Sequence, residues 1–246
     1  MSQILESQLT NNLESPLNRA RPNNIKKYVE PFMQRLGLDY KIFVEPQDAE
    51  QYRFSNVVLL DANDKGLGYA TSFAKKYAEE KGYDLVFKID DDTKAIGEIE
   101  KDIDRIIKAF DIQKVGAVVF PYAFEWYAKT EKLFTRSNKR IQTCYIIRTK
   151  LWRPNESVST FEDFYEFLLL RNDNYDTLYC SKHLIDCAPV GGGSGGLQAF
   201  DRSDMALKEI NIFKSIDETI KVISKLDKPW KYEPKFTDKK YRSKPI

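Results

Sequence analysis

The chain has 246 residues, 42% of them hydrophobic and 31% charged, with a formal net charge of +2. That suffices for one α/β core with no second domain required, and no apolar run approaches the roughly 20 residues of a membrane span. The N-terminus lacks the basic start and apolar core of a secretion signal, and Cys144, Cys180 and Cys187 show neither an even count nor zinc-like spacing. A soluble cytoplasmic protein with buried structural thiols is therefore expected.

In chain order, residues 41–45 and 57–60 read as strands. Between the second and the next helix lies Asn63-Asp64-Lys65-Gly66-Leu67-Gly68. There the two glycines permit close backbone approach, and the helix start offers N–H groups to negative charge. Such a pair is also an ordinary turn. The helix carries Tyr69, Ala70, Phe73, Ala74, Tyr77 and Ala78 at three- and four-residue spacing and stops at Gly82. Residues 85–89 then read as a buried strand of a parallel sheet, and it ends in Asp90-Asp91-Asp92. Ligands of such sheets bind beyond the carboxyl ends of the strands. Three carboxylates there need a cation, and hard oxygen donors suit Mg2+ or Mn2+ shared with the phosphates of a nucleotide diphosphate. A bare acidic triplet is otherwise a loop or a helix cap.

Ile99, Ile103, Ile106, Ile107 and Phe110 share one helical face, and residues 115–120 read as a fully buried strand. Residues 122–140 hold Trp126, Lys129, Lys132, Arg136, Lys139 and Arg140, a mix that suits nucleic acid or a solvated surface hairpin. A strand over 142–149 leads to Phe161-Glu162-Asp163, which opens a helix with Phe164, Phe167, Leu168 and Leu170 inward. An acid in a first helical turn is favoured by the helix dipole whether or not it is catalytic. The histidine, His183, follows a strand over 177–180. The tract Gly191-Gly192-Gly193-Ser194-Gly195-Gly196 is a linker or a flap, and the ordered-looking flanks favour the flap. Two short amphipathic helices are expected within 204–226. The tail, 227–246, sets seven cations against three acids and interleaves Trp230, Tyr232, Phe236 and Tyr241. It suits a phosphate backbone or a strap across the body.

This order of parts resembles the GT-A glycosyltransferases over roughly residues 12–200. The segment Ser15-Pro16-Leu17-Asn18-Arg19-Ala20-Arg21-Pro22-Asn23-Asn24 is similar to the family's first-strand loop, with the strand near Leu13 before it and a helix over about 25–36 after it. Residues 63–69 are similar to the second donor loop, the triplet to the DxD motif, and the Glu162-Asp163 segment to the xED motif. The resemblance implies an α/β fold with a mainly parallel Rossmann-like sheet over residues 1–226. It implies donor contacts from Arg19, Arg21, Asn63, Lys65, Gly66, Gly68, Asp90, Asp91, Gly192 and Gly193. It also implies a metal on Asp90 and Asp92, with His183 as a candidate third ligand, and Asp163 as general base beside Glu162.

Within the family the chain is similar to the TET-associated glycosyltransferases of phages, through its Arg-rich first loop, the Val44-Glu45-Pro46 strand end, the acidic helix, the glycine tract and the basic tail. That implies transfer from a nucleotide sugar, such as a UDP-sugar, to 5-hydroxymethylcytosine in DNA, with Lys235, Lys239, Lys240 and Arg242 on the backbone. Transfer to a glycan, protein or small molecule, or nucleotidyl transfer, are the alternatives.

Overall fold

The computed structural model describes residues 4–9, 21–53, 56–90, 93–122, 130–138, 140–141, 144–187, 202–225, 231–242 and 244–245. The chain begins with β1 (Ile4–Leu9) and a helix running as α1 (Arg21–Asn24), a π-helical stretch (Ile25–Val29) and α2 (Glu30–Leu36). There follow β2 (Tyr40–Val44), β3 (Val57–Leu59), α3 (Leu67–Glu80), β4 (Leu85–Lys88), β5 (Thr93–Ile96) and α4 (Ile103–Lys108). The middle of the chain forms β6 (Val115–Val119), β7 (Arg136–Ser137), β8 (Tyr145–Arg148), α5 (Glu162–Asn172), β9 (Asp176–Tyr179) and β10 (Ile185–Cys187). It closes with α6 (Ser203–Ile216), β11 (Lys221–Lys225), β12 (Lys231–Lys235) and β13 (Lys244–Pro245).

Nine strands form one sheet in the order β13-β7-β9-β6-β8-β4-β1-β2-β3. β3, β2, β1 and β4 are parallel, as expected, while β8 runs against β4 and β6. Side-chain alternation divides the core into two layers. Ile42, Leu85, Phe87, Val118 and Ile146 pack under α2 and α4, whereas Phe43, Val86, Ala117, Tyr145 and Ile147 pack under α3, α5 and α6. The same alternation turns Lys88, two residues beyond Val86, toward α5.

Two elements differ from expectation, and the strand expected near Leu13 lies outside the described residues. The first described strand, Ile4–Leu9, has partners on both edges, with Glu6 opposite Tyr40 on one side and Phe87 on the other. The helix expected over 99–110 is α4 with a 3-10 turn at each end. Within 204–226 there is one helix, α6, followed by a strand. Asp217 ends the helix and accepts from the backbone N–H and hydroxyl of Thr219, and the β-branched Val222 and Ile223 then pair with β12.

The tail packs as a strap. Phe236 stacks on Phe164 at 5.8 Å, Arg171 Nε donates to the Lys240 carbonyl at 2.9 Å, and Tyr241 Oη donates to Asp217 at 2.5 Å. Cys144 and Cys180 are buried and form no disulfide among the described residues.

Candidate functional site

The ends of β2, β3 and β4 lie on one side of the sheet, as parallel pairing requires. Glu45, buried just after β2, accepts from the Asp64 N–H at 3.1 Å and from Gln47 at 2.7 Å, and the Gln47 N–H donates to Asn63. The strand end Glu45-Pro46-Gln47 thereby holds the 63–66 loop in place. Lys65 is exposed at its tip.

At the end of β4 the centre is Lys88, 1% exposed. Its Nζ lies 3.1 Å from Asp90 Oδ1 and 3.8 Å from Glu162 Oε1. Burial opposes its charge, yet Asp90, Glu162 and Glu166 together outweigh that and hold the ammonium well above the ordinary lysine range. Glu166, one turn along α5 from Glu162, accepts from Trp152 Nε1 at 2.6 Å and from Tyr145 Oη, and burial pushes its carboxyl up to about 7. Burial likewise raises Glu162 and Asp163. Asp163 Oδ1 accepts from the Phe164 N–H at 2.9 Å, and its Oδ2 lies 3.9 Å from Arg140, whose guanidinium covers the Phe164 ring at 4.0 Å.

The start of α5 is fixed from a distance. Glu209 on α6 accepts backbone N–H groups from Ser159, Thr160 and Phe161. Gly68 donates to Ser159 Oγ at 3.3 Å, and a Cβ added at Gly68 would stand 2.5 Å from the Asn155 carbonyl and 2.7 Å from that of Val158. The close approach that Gly68 allows is therefore to the chain itself. Gly66, at φ +82°, supplies the turn into α3.

The structure thus brings Asp90, Glu162 and Asp163 together. Arg21 sits in α1, and Asn63, Lys65, Gly66 and Gly68 line the neighbouring loop. Arg19, Asp91, Asp92, Gly192 and Gly193 lie outside the described residues, as do Trp126, Lys129 and Lys139. His183 is buried with its Nε2 3.0 Å from Asp102 Oδ2, and Asp102 also takes Lys182 and Arg105. Among the described residues no three His, Cys, Asp or Glu side chains gather as a metal site. Of the tail cations, Lys235, Lys239 and Arg242 are exposed, whereas Lys240 pairs with Asp217 at 2.6 Å.

Sequence reading missed Lys88, Glu166, Tyr145, Trp152 and Glu209. A lysine in an otherwise apolar strand, two residues before an acid, was a usable signal. So was a glutamate four residues beyond Glu162 on an apolar helix face. Glu209 carried no such mark.

No protein-family model and no curated protein sequence matches the chain. Solved structures do. The mannosyltransferase PcManGT from Pyrobaculum calidifontis, in complex with GDP-Man and Mn2+, is similar with a TM-score of 0.53 and 14% identity, over 85% of this chain and 64% of that one. S. aureus TarS 1-349 in complex with UDP-GlcNAc is similar with a TM-score of 0.51 and 14% identity, over 88% of this chain and 66% of that one. The chain thus spans just under two thirds of the length of these two. At such identity the likeness is one of fold, and no helix among the described residues is long and apolar enough to cross a membrane. The architecture is the GT-A type of α/β fold found in nucleotide-sugar transferases.

Proposed function

We propose that the chain transfers a sugar from a nucleotide-diphosphate donor to a hydroxyl acceptor. The observation that carries this reading is the buried Lys88 ammonium shared between Asp90, at the end of β4, and Glu162, in the first turn of α5. It sets a donor-side carboxylate beside an acceptor-side pair. Solved structures of the same fold hold UDP-GlcNAc, or GDP-Man with Mn2+.

The donor set fits a divalent ion: Asp90 opens a run of three carboxylates, keeps 30% of its side chain exposed and offers hard oxygen atoms. Asp90, Asp91 and Asp92 would hold Mg2+ or Mn2+, which neutralises the diphosphate leaving group when bound. Glu162, drawn to Lys88, is the inner acid that fixes the start of α5. Asp163 is the outer one, and its raised basicity suits it to take the acceptor proton as the new C–O bond forms and the sugar–phosphate bond breaks.

The preferred acceptor is the hydroxymethyl group of a modified pyrimidine in DNA, supported by the motif resemblance and the cationic tail. The test incubates the protein with UDP- and GDP-sugars, Mn2+ or Mg2+, and matched oligonucleotides carrying cytosine, 5-hydroxymethylcytosine or 5-hydroxymethyluracil. A hexose-sized mass gain on a hydroxymethylated strand, lost in Asp90→Asn, is expected. No gain with a donor shown to bind overturns the DNA acceptor, and no donor binding across the panel overturns the transferase.

A further inference from the structure

The 3-10 turn that follows α4 packs on β6, and the sheet continues beyond β6 as β9 and β7. In that continuation Leu178 stands opposite Val118 on one side and Ser137 on the other, and Asp176 stands opposite Val115. Between the end of α4 and these strands lies a recess of about 670 Å³, within the roughly 300–1,000 Å³ range of small-molecule sites. Its walls are Ala109, Val115, Phe134 and Leu178, all continuous with one layer of the core, together with Ile112, which is 60% exposed. Its charged lining residues are three exposed cations, Arg105, Lys108 and Lys114, and one acid, Asp176. The acid is already satisfied, since Asp176 Oδ1 takes Arg171 Nη1 at 2.7 Å and its Oδ2 lies 3.9 Å from Lys114. The cations are less fully paired. Arg105 shares Asp102 with Lys182 and His183, and Lys108 has no ion-pair partner among the described residues. The carbonyls just beyond this helix end, those of Phe110 and Ile112, take Arg148 and do not call on the lysine.

We infer that this recess takes the tail of a free, single-chain anionic amphiphile, an alkyl carboxylate or its like, with the headgroup among Arg105, Lys108 and Lys114. The apolar walls exclude a polyanion, because each further charge would give up water against Ala109, Val115, Phe134 and Leu178 with no partner there. The cations select an anionic head over a neutral or cationic one. Arg105 and Lys108, three residues apart on α4, are neighbours on the helix surface, and Lys114 immediately precedes β6. A concave recess encloses one alkyl chain, whereas a bilayer needs a convex or flat apolar surface to lie against. The recess is also remote from the carboxylates of the proposed transfer reaction. β6 and β9 run in the same direction as β4, through the antiparallel β8 between them, and Val115 and Asp176 open these two strands. The recess therefore lies at the end of the sheet opposite Asp90, and the inference does not rest on the function proposed above.

The test measures binding of dodecanoate to the full chain by equilibrium dialysis, below the concentration at which it forms micelles. One equivalent is expected to bind, and octanoate should bind more weakly by about fourfold per methylene removed, the equivalent of about 0.8 kcal/mol for each buried methylene. Dodecyltrimethylammonium should bind at least tenfold more weakly than dodecanoate, and octyl glucoside at least tenfold more weakly than octanoate. The variant Lys108→Glu/Lys114→Gln is expected to lose at least tenfold in affinity for dodecanoate, and Ile112→Gln severalfold for both carboxylates. All three substitutions fall at exposed positions, so both variants should melt with the parent. Parent-like affinity in the double variant, or equal binding of the neutral or cationic amphiphile, overturns the anionic head. Sodium polyphosphate that displaces dodecanoate overturns the amphiphile in favour of a general polyanion surface. A parent that takes up no dodecanoate overturns the inference outright. In that event co-sedimentation with anionic phospholipid vesicles reassigns the recess to a membrane surface, and a parent dimer that Ile112→Gln makes monomeric reassigns it to a second copy of the chain.

Discussion

Replacing Lys88 by methionine keeps the volume of the side chain and removes the ammonium that Asp90, Glu162 and Glu166 face. Deleting one partner of a buried ion pair costs about 3–5 kcal/mol, because the remaining charge is left uncompensated. Here the lower end applies, since Asp90 and Glu162 retain 30% and 19% side-chain exposure and water repays part of the loss. About 3 kcal/mol at pH 7.5 corresponds to a fall in Tm of roughly 6–12 °C for a chain of this size. Lys88 has its folded pKa raised, so its stabilisation is full below the unfolded value of about 10.4 and is lost only as pH rises through the folded value. Parent and mutant both take up protons between pH 7.5 and 5.5, since burial already holds Glu166 at about 7 in the parent. Burial raises Glu162 and Glu166 in the parent and, without Lys88, further in the mutant, so at pH 5.5 both are neutral in either folded protein, Lys88 is left facing the Asp90 carboxylate, and the deficit shrinks. Urea unfolding followed by tryptophan fluorescence, in EDTA at both pH values, reads this directly. A deficit under about 1 kcal/mol at pH 7.5, or one that is as large at pH 5.5, would show that Lys88 serves packing rather than charge balance.

Gly68→Ala forces a Cβ onto the Asn155 and Val158 carbonyls and should cost about 1–3 kcal/mol in a thermal melt, and it should slow transfer by displacing the start of α5; a variant as stable as the parent refutes the close contact. In the transfer assay Asp163→Asn should lower kcat by about 100-fold or more with donor binding within twofold, and a larger loss in Glu162→Gln would exchange the two roles. The Lys182 hydrogen bond above all, with those of Arg105 and His183, holds Asp102 down to about 2 against its burial. Its stabilisation is therefore present above the unfolded value of about 3.9 and is lost as pH falls toward 2. Circular dichroism across that window should show a flatter acid transition in Asp102→Asn, and an unchanged one removes Asp102 as its source.

Much of the fold was legible because its signals are local. The alternation in 85–89, the three- and four-residue spacing after Gly68 and the apolar face of α5 each report burial within one element. Asp90, Glu162 and Asp163 stood out as acids at element ends, where polar groups meet a ligand or a dipole. Lys88 did not, since a lone lysine in a strand reads as the solvent side of an alternating pattern until α5 is known to cover it. Glu209 and the 159–161 loop are far apart in sequence, and three backbone donors leave no trace in side-chain pattern. The glycine pair was noticed for its freedom, but what approached Gly68 was the chain's own backbone. The strap was left open in sequence because cations and aromatics suit both a polyanion and a packed surface; Phe236 and Tyr241 turned inward while Lys235 stayed outside.

The sheet order has a kinetic consequence. β1 is laid between β2 and β4, Leu85 pairs with Arg148, and Ser137 pairs with Lys244. The ladders at the centre and far edge of the sheet join segments distant in the chain, so closure entropy is spent before pairing returns it, and folding should be slow beside that of a helical bundle of equal length. Asp90 and Glu162 come within reach of one ammonium only once β8 has docked on β4 and brought α5 over it. In a refolding experiment helical signal should therefore return first, and competence to bind donor and acceptor together should trail it, limited by strand insertion rather than by any step at the site.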